Sequence, residues 1–147
     1  MAEHEWDHPD PFVTPFKVTD ADIDDFGHVN NAVYVRWIND GAWAHSKSLG
    51  LDFDSYRRLD AGVVVVRHEI DYISSAMPGE TALVATWVSS NDRRLRLSRR
   101  FQIRDEASGR TLARARTGFA IIKLSTGRAC RMPQEFADGY PIMWPCD

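Results

Sequence analysis

One long helical pattern stands in a chain that otherwise reads as strands, and this imbalance constrains the fold more than any other feature. From about residue 31 to residue 49, Tyr34, Val35, Ile38, Ala42 and Leu49 recur at helical spacing and form a single apolar stripe. Asn30 or Asn31 is suited to cap its start, and Gly50 to close it. Gly41, in its middle, costs about 1 kcal/mol of helix propensity. A glycine there makes sense if the helix is pressed close against a sheet.

The strands lie on either side. "FVTPFKVTD" reads as a first strand, with Pro15 tolerable at an edge. A short polar helix or loop, "FDSYRRLDAG", follows the long helix. "VVVVRHEIDYI" is a second strand, whose uninterrupted apolar start predicts burial on both faces. "TALVATWVSS" comes next, after a Pro78-Gly79 turn. In "RLRLSRRFQIR", Leu95, Leu97, Phe101 and Ile103 alternate with Arg94, Arg96, Arg100 and Arg104. "TLARARTGFAIIKL" returns as the last strand, bent near Gly118. One helix cannot cover both faces of five strands, so the sheet wraps around it or a second subunit buries what is left. An oligomer also removes the aggregation risk of strand edges and of the apolar "VVVV" run.

The totals fit one domain over residues 13–133, between a flexible N-terminal tail at 1–12 and an irregular C-terminal tail at 134–147. Apolar residues are 44% and charged residues 27%, ordinary globular values. No apolar run is long enough to span a bilayer. The first residues lack the basic-then-apolar pattern of a signal peptide. Only Cys130 and Cys146 are present, which argues against a disulfide scaffold and fits a cytoplasmic setting. The net charge of -3 is unevenly spread. Acids dominate the first sixty residues, and nine arginines crowd positions 92 to 116. That balance disfavours nucleic acid as a partner and leaves room for a smaller anionic ligand.

Chemistry concentrates in "DADIDDFGHVNNAVYVRWIND", where Asp20, Asp22, Asp24 and Asp25 precede Gly27, His28, Asn30 and Asn31. A helix N-terminus offers unpaired N–H groups and a positive dipole end, which can polarise a carbonyl. A carboxylate beside it can serve as nucleophile or general base. The plain alternative is a solvated, capped turn. Other candidates are weaker. There is no G-x-S-x-G serine, no C-x-x-C, no phosphate loop and no dinucleotide fingerprint. "HEWDH" spaces His4 and His8 as a metal pair would be spaced, although a terminal segment explains it. His68 reads as a half-buried strand histidine, and His45 as packing or surface. The arginine run is either a solvated face or a phosphate clamp. Phe26, Trp37, Trp43 and Phe53 are candidates to line a pocket.

The segment "DIDDFGHVNNAVYVRWIND" resembles the signature of hotdog-fold thioesterases of the 4-hydroxybenzoyl-CoA thioesterase type. "IDYISSAMPGE" and "GFAIIKLSTGRACRMP" extend the likeness more loosely. The resemblance implies an α+β hotdog fold, a long central helix wrapped by a five-stranded antiparallel sheet. It implies hydrolysis of an acyl-CoA thioester by a homodimer or homotetramer, with no metal or other cofactor. Asp24 stands at the catalytic carboxylate, the N–H of Asn31 at the carbonyl-polarising position, and His28 at a frequent loop histidine. Gly27 and Tyr34 are assigned to substrate binding, and Arg93, Arg94 and Arg96 to the phosphates of CoA. Active sites of the family lie between subunits. Where members often carry an acid one turn into the helix, this chain has Asn39 with Asp40 beside it. The segment is also similar to acyl-ACP thioesterases, but Phe26 replaces their motif asparagine, which favours the CoA branch. A non-catalytic acyl-thioester-binding module and a dehydratase are the remaining alternatives.

Overall fold

The structure, a computed structural model, describes residues 5 to 145. Strand β1 (Phe12–Lys17) leads through a 3-10 turn at Asp20–Asp22 into helix α1 (Asn31–Ser48). A short helix α2 (Phe53–Leu59) follows, and then strands β2 (Ala61–Tyr72), β3 (Thr81–Asn91), β4 (Arg96–Asp105) and β5 (Thr111–Lys123). A last helix, α3, spans Gln134–Gly139. The sheet runs β1-β3-β4-β5-β2, with every neighbouring pair antiparallel. This is the expected α+β hotdog arrangement, a five-stranded sheet around one long helix.

The helix lies where its sequence puts it. The side chain of Asn30 accepts the N–H of Ala32 and caps α1. At Gly41 a Cβ would stand 3.0 Å from Val84 Cγ1, so the missing side chain is what lets α1 approach β3. Trp37 and Ile38 are buried from the first half of α1, against Val84, Phe101, Ile103 and Leu112 of the sheet. Burying side chains of this size contributes about 1.5–3 kcal/mol each. A second apolar cluster sits at the far end of α1 and joins Leu51, Tyr56, Val88, Leu97 and Phe119 to Phe136 and Tyr140. Among the described residues no helix is long and apolar enough to cross a membrane.

Four expectations need correction. The valine run was expected to be buried on both faces, yet Val65 is 42% and Val66 52% exposed. The reason is topological: β2 ends the sheet and has β5 on one side only, with a bulge between Val65 and Arg67 opposite Gly118. Leu95, expected on the inner face, lies in the β3–β4 turn and is exposed. Residues 134 onward are not simply irregular, because α3 and the residue after it carry Phe136, Ala137 and Tyr140 into the second cluster. That helix has fewer than two turns, too short for a periodic signal. At the other terminus, residues 5 to 9, assigned to a tail, lie across the outer face of the sheet. There Asp7 pairs with Arg114 and the carbonyl of Pro9 accepts the Trp87 indole N–H.

Candidate active site

The aspartate loop is folded by its own backbone. The N–H of Asp24 donates to the carbonyl of His28, and that of Gly27 to the carbonyl of Asp24. The Asp24 carboxylate accepts the N–H of Phe26 at 2.9 Å. Gly27 sits at φ +75 with open space where a side chain would be, so glycine is required here by backbone conformation. Of the four aspartates only Asp22 is buried, at 3% exposure. Burial alone would raise its carboxyl. The bonds from Arg36 and from Thr19 outweigh burial and hold it below the usual carboxylate range. Asp22 thus ties the loop to the first turns of α1, while Asp24 is left facing solvent.

Asp24, His28, Asn30 and Asn31 line one cleft of about 250 Å³, with Phe26, Val29 and Ser75. The Asn31 carbonyl is held by the Tyr72 hydroxyl. Its N–H, in the first turn of an 18-residue helix, meets no acceptor among the described residues. It therefore points a free donor into the cleft at the positive end of the helix dipole. His28 Nδ1 lies 3.3 Å from Ser75 Oγ, which fixes one ring nitrogen and leaves the imidazole exposed. Phe26 is 87% exposed at the cleft rim.

The other assigned residues lie elsewhere. Tyr34 is buried against Trp37 and Tyr72, and its hydroxyl accepts the N–H of Ala76. Burial raises its hydroxyl above the ordinary range. It supports the cleft from below and does not line it. Arg93, Arg94 and Arg96 sit in and beside the turn between β3 and β4. Arg93 is bound there to Asp138 and the carbonyl of Ala137. The Asp24 loop adjoins the opposite end of β3, where Val18 bonds Glu80. That is roughly 30 Å away by strand rise. Within one chain these arginines do not reach the cleft. Of the aromatic candidates, Trp37 is core, while Trp43 and Phe53 line a separate pocket. His68 bonds Thr117 within the sheet. His4 and Cys146 lie outside the described residues. Among the described residues no three His, Cys, Asp or Glu side chains converge as a metal site needs.

That separate pocket, of about 300 Å³, opens beside the second half of α1. Its walls are apolar: Trp43, Val63, Val65, Leu97, Phe119 and Leu124. At its floor lies Arg99, which sequence reading passed over and which is 5% exposed. Its Nη1 donates to His45 Nδ1 at 2.6 Å and its Nη2 to Ser46 Oγ at 3.3 Å. The guanidinium also stands over the Tyr140 ring. Burial pushes it down to about 10, against the pull of the Tyr140 and Tyr56 hydroxyls, so it stays charged near neutrality. Burial and Arg99 push His45 down to about 4, and the ring is neutral with Nδ1 as acceptor. Tyr140 donates to Ser46, and the Tyr56 and Tyr140 hydroxyls bond each other. The signal for Arg99 was present in the sequence. Positions 97, 99, 101 and 103 share one face of β4, so an inward arginine was implied by parity.

Comparison with known proteins agrees with this architecture. The profile of the thioesterase-like superfamily matches residues 18–139. A chloroplastic acyl-acyl carrier protein thioesterase of Arabidopsis thaliana is 29% identical over 73 residues, 50% of this chain and 38% of that protein. The match therefore spans well under half of that relative's length. A 1,4-dihydroxy-2-naphthoyl-CoA thioesterase from Synechocystis superposes with a TM-score of 0.79 at 22% identity, covering 89% of this chain and 96% of that one. A Staphylococcus aureus protein solved in complex with CoA gives 0.81 at 21%, covering 88% and 81%. At such identities the superpositions establish the fold, and the profile match establishes the family. The chain belongs to the thioesterase-like superfamily and has the hotdog fold.

Proposed function

We propose that the protein hydrolyses acyl-CoA thioesters in the cleft at the N-terminus of α1. The observation that carries this reading is one cleft lined by a carboxylate, an imidazole and an unpaired helix N–H, from Asp24, His28 and Asn31. The thioester carbonyl oxygen accepts the Asn31 N–H, which stabilises the negative charge that develops on it. Asp24 either attacks the carbonyl carbon, giving a mixed anhydride that water then hydrolyses, or removes a proton from the attacking water. In both routes the C–S bond breaks and the thiolate leaves to take up a proton. His28, fixed through Ser75, orients the loop or the substrate.

A second copy of the chain completes the site in this reading. The Asp24 cleft and the apolar pocket share no lining residue. Asn31 and Ser46 are about 22 Å apart along α1 by helical rise. The β2 edge exposes Val65, Val66, Tyr72 and Ile73, an unpaired apolar strand of the kind that associates. Across such an interface the Arg93, Arg94 and Arg96 turn becomes available to the phosphates of CoA. The Arabidopsis relative is named for acyl carrier protein, so the carrier is tested directly. Thiol release is followed with straight-chain acyl-CoAs, aryl-CoAs and acyl-ACPs at matched concentration. Release from acyl-CoA supports the reading. Release from acyl-ACP alone transfers it to the protein carrier. Binding without release makes the chain a thioester-binding module, and light scattering on the same sample gives the number of copies.

A further inference from the structure

The polar floor of the apolar pocket carries one formal charge, that of Arg99. Arg99 brings only N–H donors, two of which reach His45 and Ser46. Ser46 Oγ accepts from both Arg99 and Tyr140, which fills its acceptor sites. Its own hydroxyl also reaches the Tyr56 oxygen. With the Tyr140 proton spent on Ser46, Tyr56 is the donor of the tyrosine pair. The neutral His45 has its Nδ1 occupied by Arg99, so its proton is on Nε2. The one formal charge among these groups is a buried cation. Among the described residues no carboxylate pairs with Arg99. An arginine this buried is normally matched by an anion, because desolvating the charge is costly.

We infer that the Arg99 floor binds the carboxylate at the far end of an acyl chain, so that the preferred substrate is an ω-carboxyacyl thioester. Arginine matches a carboxylate with two parallel N–H bonds. The apolar walls of Trp43, Val63, Val65, Leu97 and Phe119 suit the methylene stem between that carboxylate and the thioester. A methyl-ended chain of equal length leaves the cation unmatched. A hydroxyl-ended or phenolic acyl group likewise brings no counter-charge to it.

This inference rests on the proposed thioesterase reading with two copies, the thioester lying in the cleft of the partner copy because the cleft of the same chain is about 22 Å away along α1, and the test separates the two. Turnover of adipyl-CoA and hexanoyl-CoA, equal in chain length, is compared in the wild type and in Arg99→Met and Arg99→Lys. The wild type is expected to favour adipyl-CoA in kcat/KM by about 10- to 100-fold, the scale of hydrogen bonds to a charged group. Arg99→Met should lose that preference and Arg99→Lys keep part of it, the preference being read as the ratio of the two substrates within each folded variant. A wild-type ratio at or below one overturns the inference, whether or not the variants fold. So does a preference unchanged in folded Arg99→Met. If neither thioester is cleaved, the thioesterase reading fails by itself. Calorimetric titration with the non-hydrolysable S-alkyl-CoA thioethers, carboxy-ended and methyl-ended, then gives the same ratio from affinities. Binding of free adipate without any preference between the CoA ligands overturns the acyl assignment.

Discussion

At the N-terminal end of α1 the polar groups are solvent-facing, come from one contiguous stretch and include an unpaired N–H. At its other end they are buried, bonded to one another and drawn from α1, α2, β4 and the residue after α3. The first arrangement keeps reactive groups available at small cost to the fold, because each is satisfied by water or by its own loop. The second places a charge where water does not reach, so fold and ligand preference depend on the same atoms. A change at the first end should alter rate with little effect on stability. A change at the second should move both.

The largest expected effect is on rate. Asp24→Asn should lower kcat by about 10²- to 10⁴-fold while the denaturation midpoint stays close to the wild type. Its carboxylate makes one exposed hydrogen bond, to Phe26 N–H. Thiol-release kinetics beside a denaturant titration check both halves, and a large loss of stability would break the contrast.

Next in size is Phe136→Ala. Phe136 is fully buried against Tyr56 and Tyr140 at the far end. Removing the ring should cost about 3–5 kcal/mol of unfolding free energy. It should also raise KM for substrates that use the apolar pocket more than it lowers kcat.

His45 gives the far end its own pH signature. Its folded value of about 4 lies below the ordinary 6.5 of a free imidazole, so folding favours the neutral ring. Stability from this group is complete above about pH 6.5 and is lost as pH falls toward about 4, by about 3 kcal/mol in all. Its ring is bonded by Arg99 from β4 and faces the Phe12 ring, neither of which titrates in that window. Denaturant titrations at pH 6.5 and 4.5 should show the loss, and His45→Gln should flatten it.

The smallest effect belongs to the cap. Asn30→Ala removes the bond to Ala32 N–H and should cost about 1 kcal/mol. Because Asn30 also borders the cleft, hydrogen exchange in the first turn of α1 should rise together with a modest fall in kcat.

The cleft end was legible because its logic is local. Asn30 caps, Gly27 turns, and Asp24, His28 and Asn31 are brought together by a loop of a few residues and the start of the helix it feeds. Gly41 was readable for the same reason, since an unfavourable residue in a helix predicts a close neighbour, and Val84 is that neighbour. The far end was not, because its members are scattered through the chain. His45 and Ser46 look like ordinary helix residues, Arg99 looks like one more charge in an arginine run, and Tyr140 sits in a segment too short to show a period. The valine run failed in a related way. Whether "VVVV" is covered depends on which strand ends the sheet, and β2 does.

The sequence alone therefore determined the order of elements, the packing face of α1, and the presentation of one carboxylate and one free N–H at a helix start. Those follow from period, propensity and spacing, which act over a few residues. Only the tertiary structure decided that Arg99 is buried without a carboxylate, that its pocket lies apart from the cleft, and that the valine edge is open. Those are outcomes of long-range packing, where the environment of a charge is set by strands and helices far away in the chain.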